Sequence, residues 1–177
     1  MQVAADQPVR TLNSIRLHPE RFLELIEWLD QSGIRTVIIG SAGDRQGLGP
    51  MLDHLPPSSL NLLGRTSLSE VSAVIAQCEL MISNDSGLAH IAGAVGTPTV
   101  TIFGPSDPIR TGVFPPSKIH RVVRPEGVTC HPCQPAKTGL ICSGTDCMGS
   151  IEVVAVRKEV EFLLQMRSPD RKKYPQE

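Results

Sequence analysis

Between residues 80 and 103 the chain passes from an apolar run through a turn and a small-residue stretch to a β-branched run, and no other segment restricts the fold as much. Leu80-Met81-Ile82-Ser83 has the length and apolarity of a strand buried on both faces. Asn84-Asp85-Ser86-Gly87 is turn chemistry, Leu88 to Val95 reads as a helix stopped by Gly96, and Thr99-Val100-Thr101-Ile102-Phe103 is a second strand. Strands joined through a helix run parallel, and the crossover is right-handed.

The same alternation extends over most of the chain. Residues 19–31 predict an amphipathic helix, with Pro19 opening it, Phe22, Leu23, Leu25, Ile26 and Leu29 on its apolar side, and Ser32-Gly33 closing it. Residues 36–39 follow as a β-branched strand, and 40–44 as a loop. A second unit has a strand at 60–63, a turn at Gly64, and a helix whose Ser67 and Glu70 form a capping box. Leu68, Val71, Val74, Ile75 and Cys78 give that helix its apolar face. Residues 119–123 add a further strand. Segment 128–149, rich in Cys, Gly and Pro, has no periodicity, and 151–166 predicts a C-terminal helix with Ser150 as N-cap and Val154, Val160, Leu163 and Leu164 buried. The expectation is an α/β fold, a Rossmann-like doubly wound parallel sheet, in one domain over 16–167. Residues 1–15 read as a truncated linker or first strand and 168–177 as a flexible tail.

Composition removes several functions. Lys and Arg number 17 against 18 Asp and Glu, a net charge of -1, so no strong field draws the chain to nucleic acid or anionic lipid. Aromatic residues are only 3%, too few for a base-stacking platform. Residues 1–10 lack the apolar core of a signal peptide, and no stretch approaches the roughly 20 apolar residues that span a bilayer. A cytoplasmic protein is expected.

Chemistry concentrates at Asn84-Asp85-Ser86-Gly87-Leu88-Ala89-His90, where a strand gives way to a helix. Ligands of open α/β sheets bind outside the carboxyl ends of strands, and a helix N-terminus offers unpaired N–H groups and about half a positive charge to a phosphate. Gly87 lets a diphosphate approach the backbone, Ser86 adds a hydroxyl, Asp85 accepts from sugar hydroxyls, and His90 lies one turn in, facing the same mouth. The plainer alternative is an N-cap beside a half-buried histidine.

Gly64-Arg65-Thr66-Ser67-Leu68, then Ser83 to His90, then Gly96-Thr97-Pro98, then Gly104-Pro105-Ser106-Asp107-Pro108 occur in the order and approximate spacing of heptosyltransferases. From about Arg16 to Leu164 the chain resembles the C-terminal, nucleotide-sugar-binding domain of glycosyltransferase family nine. The resemblance implies one half of a GT-B architecture holding ADP-heptose. It assigns the heptose contact to Asp85 and the diphosphate to Ser86 and Gly87, with His90 close by. It places Gly64, Thr66 and Ser67 beside the adenosine. Asp44 is a further candidate for a ribose hydroxyl, or else a solvated loop carboxylate. Arg16, ahead of Leu17-His18-Pro19, matches a basic residue that neutralises the diphosphate, although His18 stands where the family has an aromatic residue.

Family members carry an N-terminal domain that binds a lipid-linked saccharide acceptor and supplies the general base, and 177 residues cannot hold it. No catalytic residue is therefore expected here, and the chain alone should bind donor without transferring sugar efficiently. The implied reaction is an inverting displacement in lipopolysaccharide-core assembly, at or near the cytoplasmic face of the inner membrane, with no metal needed for the step. Alternatives are a UDP- or GDP-sugar donor, or a non-enzymatic α/β module held by a metal.

The last alternative rests on Cys130, Cys133, Cys142 and Cys147, four soft ligands in C-x2-C-x8-C-x4-C. Such spacing can close a structural zinc site. Reduced thiols packed under the loop, or disulfides, are the other readings. Cys78 reads as a small core residue.

Overall fold

Every described strand pair is parallel, as crossovers through helices require. The structure, a computed structural model, describes residues 17–128, 132–133 and 146–166. Strand β1 (Val37–Ile38) pairs with β2 (Leu60–Asn61), and β3 (Met81–Asn84), β4 (Thr99–Ile102) and β5 (His120–Val123) form a second ladder in that order. The helices before, between and after them are α1 (Pro19–Gln31), α2 (Ala42–Gly47), α3 (Gly49–Leu52), α4 (Leu68–Gln77), α5 (Gly87–Ala94), α6 (Pro108–Thr111), α7 (Asp146–Gly149) and α8 (Val153–Met166). Among the described residues, no helix is long and apolar enough to cross a membrane.

Period-two alternation along the strands sends side chains to opposite faces. Ile82, Val100, Ile102 and Val123 join Phe22, Leu25, Ile26 and Leu29 of α1 and Val153, Val156, Val160 and Leu163 of α8 in one buried cluster. Met81, the neighbour of Ile82, turns the other way to Ile39, Val71 and Ile75 of α4 and Ala92 of α5. Helices thus cover both faces, the doubly wound arrangement that the alternation predicts.

Local chemistry sets the elements. Pro19 occupies the first turn of α1, and Gly33, at φ +74°, ends it. β1 and β2 count two residues each, yet their bonding runs further: Leu60 N–H donates to Thr36 O, Leu62 N–H to Ile38 O and Gly64 N–H to Gly40 O, each at 2.9 Å. Helix α5 is built of small residues because it lies close to its neighbours: Ala89 and Ala92 are buried against the sheet, and a Cβ at Gly93 would overlap Val113.

Three expectations change. Residues 40–44 are not simply a loop: α2 and α3 follow Ser41, and Leu48 and Met51 are buried in the main core. Their burial overrides the poor helix propensity of Gly43, Gly47, Gly49 and Pro50. The C-terminal helix begins at Val153, not 151, because Ser150 closes α7 instead, its hydroxyl donating to Cys147 O at 3.1 Å. Its buried stripe is Val153, Val156, Val160 and Leu163, while Val154 is 63% exposed. That stripe keeps the three-and-four spacing from Val153, which leaves Val154 about 100° off it. The segments 1–15 and 168–177 lie outside the described residues.

Leu163→Ala should cost about 2–5 kcal/mol, by loss of transfer free energy and a cavity, while Val154→Ala stays within about 0.5 kcal/mol. Urea denaturation of both variants checks the corrected face.

Candidate functional site

Three turns leave the carboxyl ends of β1, β2 and β3 and meet around a cleft of about 390 Å³. The first supplies Gly40, Ser41 and Asp44, the second Thr66, Ser67 and Leu68 with Val71 behind them, and the third Ser86, Gly87, Leu88 and Ile91. Gly64 does not line the cleft but lets two of the turns touch. Its φ is +67°, and a Cβ there would stand 2.8 Å from the Ala42 Cα.

Helices α2, α4 and α5 all begin at this cleft, and two of them carry their own anion. Ser41 N–H and Oγ donate to Asp44 Oδ2 at 2.7 and 2.8 Å, and Asp44 N–H donates back to Ser41 Oγ at 3.2 Å. Ser67 N–H and Oγ donate to Glu70 Oε2 at 2.8 and 2.7 Å, and Glu70 N–H donates back to Ser67 Oγ at 3.4 Å. Both are capping boxes, and each places a carboxylate on a helix dipole. The Ser67 backbone N–H, and after it the Ser67 hydroxyl, hold the Glu70 carboxyl below its ordinary value of 4.5. Helix α5 differs: Ser86 is its N-cap with no side-chain cap bond, and its first turn holds no acidic residue. Its opening N–H groups therefore lie at the cleft with no capping carboxylate from the helix itself.

The candidate residues sort as follows. Ser86 and Gly87 line the cleft, Gly87 is exposed, and a Cβ added at Gly87 would meet nothing within 4 Å. Thr66, Ser67 and Asp44 also line it. Asp44 is 7% exposed and serves as the acid of a capping box, so the solvated alternative does not hold. Asp85 is half-buried beside the cleft, with its carboxylate accepting from Ser106 Oγ at 2.6 Å and Thr111 Oγ1 at 3.1 Å. His90 is exposed and not among the lining residues, since Leu88 and Ile91 turn toward the cleft and Ala89 and Ala92 toward the sheet. Arg16 lies outside the described residues, and no Lys or Arg is among the described residues that line the cleft.

Cys130 and Cys142 lie outside the described residues too. Cys133 and Cys147 are half-buried, and Cys133 N–H donates to Pro105 O at 2.8 Å. Among the described residues no group of three or more His, Cys, Asp or Glu is placed to hold a metal ion. Cys78 is half-buried, its thiol donating to Val74 O at 3.3 Å.

Sequence reasoning missed the apolar wall of Leu68, Leu88 and Ile91. Leu68 is assigned to the core by its spacing, yet it is 69% exposed at the rim. It also missed Ser41, although Ser41-Ala42-Gly43-Asp44 carries the same capping signature as Ser67 to Glu70.

A family described as "Glycosyltransferase family 9 (heptosyltransferase)" matches residues 13–140, a range that holds the whole cleft. The chain belongs to glycosyltransferase family 9. Over 107 residues it is 36% identical to lipopolysaccharide heptosyltransferase 2 of Escherichia coli, a match covering 58% of this chain and 30% of that protein. The solved ADP-heptose lipopolysaccharide heptosyltransferase II of Escherichia coli superposes with a TM-score of 0.70 at 27% identity, over 93% of this chain and 45% of that one. An Escherichia coli heptosyltransferase solved with ADP shares the fold, with a TM-score of 0.68 at 23% identity over 92% of this chain and 43% of its own. The family 9 chain therefore spans less than half the length of these solved relatives. Its α/β fold is that of the GT-B heptosyltransferases.

Gly64→Ala should destabilise by about 1–3 kcal/mol, because a non-glycine residue is held at positive φ against the Ala42 backbone; thermal unfolding measures it. Glu70 supplies a pH-dependent increment. Its folded value is depressed, so its contribution is complete above the ordinary 4.5 and disappears as pH falls through the lowered folded value. The melting-temperature gap between wild type and Glu70→Gln should therefore close in acid, and a gap constant with pH would contradict the capping role.

Proposed function

We propose that this chain is the donor-binding half of a heptosyltransferase of lipopolysaccharide-core assembly, holding an ADP-activated heptose. The observation that carries the reading is the opening of α5: among the described residues its first turn holds no acidic residue and Gly87 is exposed, in a cleft whose other two helix starts are already occupied by Asp44 and Glu70. A diphosphate placed there receives the N–H groups of the first turn and the positive end of the dipole. Ser86 and Gly87 hold it, and the absence of a Cβ at Gly87 allows the close approach. The apolar wall of Leu68, Leu88 and Ile91 suits the flat face of a nucleobase, with Thr66 and Ser67 beside it. Asp85 takes a heptose hydroxyl. The family membership and the relatives named for heptose transfer support the sugar, and the relative solved with ADP supports the nucleotide.

In the complete reaction a base from protein beyond these residues deprotonates the acceptor hydroxyl. That oxygen attacks the anomeric carbon, the bond to the diphosphate breaks, and the configuration inverts. Charge grows on the departing ADP as the bond lengthens, and the α5 amides stabilise it most at that moment. Arg16 is assigned to the same charge.

Gly87→Val should leave the melting temperature within about 3 °C of wild type, because the position is open, while weakening ADP binding at least about tenfold by steric exclusion. Calorimetric titration with ADP, UDP and GDP tests the nucleotide. Tighter binding of UDP or GDP than ADP would overturn the donor assignment, and unaltered ADP affinity in Gly87→Val would overturn the site.

A further inference from the structure

Both hydroxyl donors to Asp85 end on the same oxygen. Ser106 Oγ lies 2.6 Å from Oδ2 and Thr111 Oγ1 lies 3.1 Å from it, and among the described residues no hydrogen bond reaches Oδ1. The contact from Ser106 is the tighter of the two. Thr111 has one hydroxyl proton and two acceptors, Asp85 Oδ2 and Asp107 O at 3.2 Å, so its help is shared. Ser106 is the principal fastener.

Ser106 is itself held from both sides. On one side Asp107 caps α6, its carboxylate accepting from Ile109 N–H at 3.0 Å, and Pro108 fixes the first turn. On the other side Pro105 O accepts from Cys133 N–H at 2.8 Å. The hydroxyl is thus carried by a segment with little freedom to turn.

We infer that Ser106, assisted by Thr111, is a positioning residue for the sugar part of the donor: by pinning Oδ2 it presents Oδ1 of Asp85 to one sugar hydroxyl. This rests on Asp85 as the sugar contact. A carboxylate already fixed by folding loses less side-chain freedom when ligand arrives. It also discriminates, because a donor lacking the matching hydroxyl would cover an acceptor-only oxygen of half-buried Asp85 without giving it a partner. The selected class is a nucleotide sugar with a hydroxyl in reach of Asp85, as opposed to the bare nucleotide.

Calorimetric binding of ADP-heptose and of ADP to the full chain tests this in wild type, Ser106→Ala, Ser106→Thr, Ser106→Ala with Thr111→Val, and Asp85→Asn. Ser106→Ala should weaken ADP-heptose about tenfold and ADP less than about twofold, the double variant should weaken ADP-heptose further, and Ser106→Thr should restore wild-type behaviour. Equal losses for both ligands, or none, would overturn the positioning role. Asp85→Asn examines the underlying reading separately: if the ratio of the two affinities is unchanged there, Asp85 is not the sugar contact. Three-bond couplings of the Asp85 β-protons test the fastening without ligand. One χ1 rotamer in wild type that becomes averaged in the double variant supports it, and couplings unaltered by the double substitution refute it.

Discussion

The β3–β4 ladder ends where Asp85 N–H donates to Ile102 O at 3.0 Å, and the geometry of the cleft follows from that stopping point. While the ladder lasts, side chains alternate between two buried layers; one residue beyond it, the chain must turn into α5. The register that sets Asn84 opposite Ile102 brings the end of β3 level with the end of β4. The same register leaves the turn after β4 close enough for Ser106 to reach Asp85. On the far side Asn84 Oδ1 accepts from Leu17 N–H at 3.0 Å and ties the chain entering α1 to this edge. Parallel pairing thus gathers turns distant in sequence onto one rim.

Electrostatics then decide what the rim can hold. Every helix that starts there concentrates unpaired N–H groups, and an uncompensated set of three would be a poor neighbour for a folded chain without ligand. Asp44 and Glu70 offset two sets from within. Among the described residues the first turn of α5 holds no acidic residue, so the positive end of its dipole is not offset in that way.

The fold was largely legible in the sequence because buried parallel strands are short, β-branched and separated by helices of regular period: residues 99–102 fall inside the run read as 99–103, and the strand read as 80–83 lies one residue later, at 81–84. The capping box at Ser67 and Glu70 was readable for the same reason, since the chemistry is local. What failed was non-local. Helices α2 and α3 exist because Leu48 and Met51 enter a core assembled from distant residues. Leu68 fits a helical stripe by spacing, but its position in the first turn puts it at the rim, beyond the layer that covers Val71 and Ile75. In the site, Ser86 and Gly87 were legible because a strand-to-helix junction has a fixed chemical character. Ser106 lay in a recognised motif but had no assigned task, because its partner is 21 residues earlier in the chain and no spacing rule connects them.

Gly93 and Thr111 together have a mechanical meaning. Thr111 is bonded to Asp85 ahead of α5, and two residues later Val113 presses on Gly93 near the end of the same helix. The segment between them therefore spans α5 like a brace joined at both ends. Such a triangulated frame resists shear: tilting the helix would have to break the bond at one joint or force atoms together at the other.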